Sequence, residues 1–173
     1  MSDVFTEESA LLRELRDQQQ IRDCLMRYCR GVDRCDVEDV RAAYHPDATD
    51  DHGYWKGNGW DFAEFIVDAK LRDNDWTTHA VQNVLIEVDG DVAYGESYVE
   101  ASLKPKGIDE VRVFVGRYID RFERRDGEWR IADRVVVHDW DDARPLRPGG
   151  IGLPLEDFVR GGRGERSDLV YRR

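Results

Sequence analysis

Asp33 and His79 are the residues of this chain best suited to moving a proton near neutral pH. A carboxylate fixes the tautomer of an imidazole and stabilises its protonated form, so the two together make a usable base. Asp33 follows a long helical stretch and His79 opens a long strand-like run, and the two are expected to meet in one pocket. His79 is then the base that removes a proton from a carbon next to an activating group. A hydroxyl leaving from the neighbouring carbon needs a hydrogen-bond donor, and Tyr28 is the candidate. Such an elimination requires neither metal nor cofactor. Two other readings remain: Asp33 takes the proton directly, or the pair is a buried structural hydrogen bond.

The remaining candidates are walls and anchors. Tyr54, Trp55, Trp76, Phe114 and Trp140 suit a cavity for a flat or polycyclic ligand, or else ordinary core packing. Arg112, Arg117 and Arg134 lie on strand-like runs. Arg134 is the one expected to point inward, because its flanking valines indicate a buried strand, and there it would hold a carboxylate or a developing negative oxygen. His45-x-Asp47-x-x-Asp50-Asp51-His52 has metal-ligand residue types but no compact zinc spacing, and Pro46 makes its start a turn. No metal is expected there, and His52 alone reaches the pocket rim. Cys24, Cys29 and Cys35 are odd in number and form no CxxC, so they are expected to be reduced packing residues of a cytoplasmic protein.

The elements that must position these groups follow from periodicity. Residues 6–31 carry apolar residues at helical spacing (Leu11, Leu15, Leu25, Tyr28), with Thr6 as cap, Glu7 and Glu8 at the positive end and Gly31 as stop. Asp36 caps a short second helix through Val40, Ala43 and Tyr44, ended by His45-Pro46. Residues 50–59 are turn-rich. Residues 60–72 form a third helix, with Phe62, Phe65, Ile66 and Ala69 on one stripe. Strands are expected over 79–88, 92–103, 111–124 and 129–140, with Asp89-Gly90 and Asp126-Gly127 as hairpin turns. Helices first and antiparallel strands afterwards define an α+β domain over residues 1–142. Residues 143–173 shift to Arg, Pro and Gly and read as an extended tail with a short helical turn near 155–159.

With 173 residues the chain is long enough for one domain with a sizeable core. Its net charge of −11, from 26 basic and 37 acidic residues, disfavours nucleic acid and anionic membranes as partners. No apolar run approaches the roughly 20 residues of a membrane span, and the acidic N-terminus lacks the blocks of a signal peptide.

One ordered set of residues resembles a known family. It runs Tyr28-Cys29-Arg30-Gly31-Val32-Asp33, Tyr44-His45-Pro46-Asp47-Ala48, Thr78-His79 ahead of Asn83, Val88-Asp89-Gly90-Asp91, Gly116-Arg117-Tyr118 and Arg125-Asp126-Gly127-Glu128-Trp129-Arg130-Ile131. Across about residues 8–142 this resembles the SnoaL-like branch of the nuclear-transport-factor-2-like superfamily. The resemblance implies a cone-shaped α+β barrel: three N-terminal helices packed in a strongly curved, mainly antiparallel sheet around an apolar pocket. It implies an Asp–His pair at Asp33 and His79, a pocket-facing Tyr28, an acidic residue on the second long strand (Glu96 or Glu100), and Asn83 among the substrate contacts. The implied activity is a cofactor-independent lyase, a dehydratase acting on a hydrophobic cyclic substrate such as a hydroxysteroid. The implied alternatives are a ketosteroid-isomerase-like isomerase, a polyketide cyclase, or a non-catalytic assembly subunit like the small subunit of ring-hydroxylating dioxygenases. A homo-oligomer, with the trimer of eliminating relatives as its form, is the expected assembly.

Overall fold

The computed structural model describes residues 2–147 and 149–172, with side chains from Glu8 onward. Helix α1 spans Ser2–Arg34, α2 Val37–Arg41 and α3 Gly59–Asp73. Strands β1 (Tyr44–Asp51), β2 (Lys56–Asn58), β3 (Asn74–Asp89), β4 (Val92–Pro105), β5 (Glu110–Arg125) and β6 (Glu128–Pro145) form one sheet in the order β2-β1-β6-β5-β4-β3. Every pairing is antiparallel except β1 with β6, which is parallel. The result is an α+β cone, open rather than closed, with the helices on the concave face.

The stripe of α1 that meets the sheet is Asp17, Ile21, Cys24, Leu25, Tyr28 and Val32, all buried at three- and four-residue spacing. Leu11, Leu12 and Leu15 stay exposed, ahead of the buried stripe that begins at Asp17. The helix starts at Ser2, ahead of the expected cap Thr6; the side chains of Thr6 and Glu7 lie outside the described residues. Asp17 fixes the lower end. It accepts two bonds from Arg124 Nη1 at 2.9 Å and one from Trp129 Nε1 at 3.1 Å.

Gly31 does not stop α1, which continues to Arg34 and turns at Cys35 with φ 55°. Its role is close approach: a Cβ there would lie 2.7 Å from the Val40 backbone nitrogen and 2.8 Å from Val40 Cγ2. Asp36 caps α2 as expected, accepting from the backbone N–H groups of Glu38 and Asp39. The helix ends earlier than its pattern suggested, however, and Tyr44-His45-Pro46 belong to β1. Pairing of β1 with β6 lapses between Tyr44 and Thr49, so Pro46 sits where no ladder donor is needed. The turn-rich 50–59 segment contains the end of β1 and all of β2.

The long strands follow the expected hairpins. Asp126 (φ 53°) and Gly127 (φ 83°) make the two-residue turn between β5 and β6, with Arg125 opposite Glu128. Along β4 the inward residues Ala93, Gly95, Ser97, Val99 and Ala101 are small. At Gly95 an added Cβ would lie 3.0 Å from the Phe122 ring of β5, so the small residue leaves room for that side chain. β6 runs to Pro145, three residues past the expected end of the domain. The tail has a 3-10 turn at Leu155–Asp157 and then returns to the C-terminal end of α1. There Gly164 N–H donates to the Arg34 carbonyl at 2.7 Å, and Arg166 pairs with Asp36 at 2.8 Å.

Candidate active site

Between the helices and the inner face of the sheet lies a cavity of about 370 Å³. Its apolar walls are Val32, Ile66, Ala101, Leu103, Phe114 and Val136, and its polar ones Tyr28, His52, Tyr54, Lys70, His79, Tyr118 and His138.

Asp33 sits on the last turn of α1 and His79 on β3, 46 residues apart in sequence and in direct contact. Asp33 Oδ2 accepts the His79 backbone N–H at 2.8 Å, and Oδ1 meets His79 Nδ1 at 2.7 Å. An ionised carboxylate only accepts, so Nδ1 carries its proton and the free lone pair of the neutral ring is on Nε2. That nitrogen has no partner among the described residues, and the ring lines the cavity. Both side chains are largely buried. Arg163, from the returning tail, donates to the carbonyls of Asp33 (3.4 Å), Asn74 (2.7 Å), Asp75 (2.8 Å) and Lys70 (3.1 Å), tying together the ends of α1 and β3, which carry the pair, and of α3.

A second aspartate–histidine pair stands on the same cavity. Asp50, at the end of β1, accepts from the Tyr44 hydroxyl at 2.6 Å and from His52 Nδ1. His52 Nε2 lies 3.3 Å from the Tyr28 hydroxyl, and the ring stacks on Phe62 with centroids 4.1 Å apart. Burial pushes the His52 pKa below the ordinary histidine value, against the pull of Asp50. Neutral His52 with Nδ1–H toward Asp50 accepts the Tyr28 hydroxyl proton. Burial also holds Tyr28 well above the usual phenol pKa, so it stays protonated.

Arg134 is fully buried beneath this site. Its Nε and Nη2 donate to Asp120 at 2.7 and 2.8 Å, and the guanidinium lies 4.3 Å from the centroid of Tyr28 and 4.0 Å from that of Tyr118. Burial pushes the Asp120 carboxyl up and Arg134 opposes it; the bidentate geometry is that of an ionised pair. Arg134 thus points inward as expected but supports the tyrosines from behind and does not line the cavity. Burial raises the thiols of Cys24 to about 11 and Cys29 to about 12, which leaves them inert packing groups.

Tyr54 and Phe114 line the cavity; the other expected wall residues lie elsewhere. Trp55 packs against Phe62 and Phe65. Trp76 belongs to a shallow depression with Lys104 and Arg160, and Trp140 is exposed near the end of β6. Asn83 lies with Leu85, Glu96 and Tyr98 on the outer face of the sheet. Glu100 alternates with the buried Val99 and Ala101 and so faces outward, and Glu96 binds Arg117 at 2.9 Å. Sequence reasoning passed over Lys70 and His138. Lys70 follows Phe62 and Ile66 at four-residue steps, a signal that was available. His138 follows a bulge between β5 and β6 that shifts its register, and no sequence pattern marks it.

In the His45–His52 segment, His45 bonds the Glu123 carbonyl at 2.9 Å, Asp47 pairs with Arg125 and Asp51 with Lys56. Among the described residues, no three His, Cys, Asp or Glu side chains converge as a metal site. Nor is any described helix long and apolar enough to cross a membrane.

A six-stranded cone holding three helices over an acid–imidazole cavity defines the fold class. The SnoaL-like domain family matches residues 13–135, and the chain belongs to that family, within the NTF2-like superfamily. Among solved structures it is similar to a provisionally named scytalone dehydratase of Novosphingobium aromaticivorans: 20% identity, 81% of this chain and 96% of that one covered, TM-score 0.70. It is also similar to a hexachlorocyclohexane dehydrochlorinase of Novosphingobium barchaimii, at 20% identity over 83% of this chain and 99% of that one, TM-score 0.70. A function-unknown protein of Mycobacterium tuberculosis (Rv3472) shares 28% identity over 75% of each chain, TM-score 0.67. Comparison with curated proteins yields no match.

Proposed function

We propose that the protein is a cofactor-independent lyase that expels water, or another leaving group, from a hydrophobic cyclic substrate such as a hydroxysteroid. The observation that carries this reading is the His79 imidazole, held by two bonds to Asp33, with its unpartnered Nε2 on an apolar cavity. His79 Nε2 takes a C–H proton, and the electron pair of that bond becomes the new C=C bond. The C–O bond breaks, and the departing oxygen takes its proton from the Tyr28 hydroxyl. With His52 neutral, the Tyr28 hydroxyl turns its proton from His52 Nε2 to the departing oxygen. Solvent then returns a proton to Tyr28 and takes one from His79. Similarity to proteins named as a dehydratase and a dehydrochlorinase supports the reaction class.

The test is incubation with hydroxylated cyclic ketones and hydroxysteroids in deuterated buffer, followed by mass spectrometry. Loss of water that disappears in His79→Gln and Asp33→Asn is the expected result. Elimination surviving both substitutions overturns the mechanism, and deuterium uptake without loss of water makes the protein an isomerase. We further infer a homo-oligomer: Leu85, Tyr94, Tyr98, Ile119 and Val135 leave apolar surface exposed on the sheet. Light scattering measures its size, with a trimer expected.

A further inference from the structure

The chain has four lysines. Lys56 pairs with Asp51 at 2.7 Å, Lys104 with Asp75 at 3.5 Å, and Lys106 donates to the Leu71 carbonyl at 2.7 Å. Lys70 is the exception: among the described residues its ammonium has neither an ion pair nor a hydrogen bond. It is also the lysine that lines the central cavity, half-buried on α3 one turn past Ile66.

Every carboxylate nearby is already occupied. Asp33 spends both oxygens on His79. Asp73 is held by Arg72 at 2.9 and 3.0 Å, and Asp75 by Lys104. The guanidinium of Arg163 is spent on backbone carbonyls and the Cys35 sulfur. Lys70 therefore has no direct carboxylate partner to offset its desolvation, and Asp33 and Asp73 act on its charge only from a distance. Burial lowers its pKa, the direction expected of a cation awaiting an anion. The rest of that wall, Val32, Ile66 and Leu103, offers a ligand only apolar contact.

We propose that Lys70 is the anion-binding element of this cavity, and that the natural ligand is a flat apolar ring system bearing a carboxylate. This takes the cavity as the ligand site, as the proposed function does, and names the substrate class more narrowly. The carboxylate docks on Lys70 and the ring lies along Val32, Ile66 and Leu103. That arrangement brings ring C–H bonds toward His79, which lines the same cavity.

The test uses 2-naphthoate and its neutral analogue 2-naphthamide, titrated calorimetrically into the full chain at fixed ionic strength. Naphthoate is expected to bind about tenfold or more tightly than the amide, the worth of one charge-assisted contact. Lys70→Met is expected to abolish that preference without weakening the amide, and Lys70→Arg to restore most of it. Equal affinities in the native protein, a preference that survives Lys70→Met, or no binding of either compound overturns the proposal. The two readings fail separately. Carboxylate preference without water loss from any substrate leaves Lys70 standing and removes the lyase. Water loss at equal kcat/KM from acids and their methyl esters removes Lys70 and leaves the lyase.

Discussion

Two aspartate–histidine pairs face one cavity, and they are wired differently. In the Asp33–His79 pair the carboxylate uses both oxygens on the same residue, and the outer ring nitrogen is left open. In the Asp50–His52 pair the carboxylate is shared with Tyr44, and the outer nitrogen of His52 meets Tyr28. The first pair leaves a ring nitrogen open to the cavity. The second holds the Tyr28 hydroxyl. Residue type does not separate them; the partner of Nε2 does.

The largest test of this contrast is kinetic. His79→Gln is expected to lower kcat/KM for elimination by about 10²–10⁴, the usual worth of a general base. His52→Gln keeps a partner for Tyr28 and is expected to cost about tenfold, mostly in kcat. Equal losses would erase the distinction. Next comes the floor beneath the second pair. Arg134→Met leaves Asp120 buried and unpaired, and urea unfolding should show a loss of about 3–5 kcal/mol.

Gly31→Ala separates the pairs by geometry. Its new methyl collides with Val40 and shifts the end of α1 that carries Asp33, at a cost of about 1–3 kcal/mol. The NMR signal of the His79 ring should move while that of His52 stays. The smallest effect is the pH dependence of stability. His52 has a folded pKa below its unfolded value of about 6.5. Above that value the ring is neutral in both states. As pH falls below it, the unfolded chain binds a proton that the folded chain resists, so stability declines. Urea midpoints at two pH values, one on each side, should differ less in His52→Gln than in the native protein.

The elements were largely legible because they obey periodicity. The α1 stripe, the cap at Asp36 and the Asp126-Gly127 hairpin follow from local sequence. What failed did so for tertiary reasons. Gly31 looks like a stop and is a packing gap for α2. Tyr44 reads as the end of the second helix and opens β1 instead, opposite Ile131 of β6, a strand more than 80 residues away. Trp55, Trp76 and Trp140 have the composition of a cavity wall but fall on faces set by strand register and sheet edge.

Sequence alone marked an acid at a helix end and a histidine at a strand start as candidates, since residue type and local periodicity place each on its element, and the family resemblance paired them. Only the tertiary structure decided which ring nitrogen stays open, that a second pair stands beside the first, and that Lys70 has no direct partner among the described residues. Those are properties of contacts between distant segments, and bulges, register shifts and a returning tail set them without leaving a local signature.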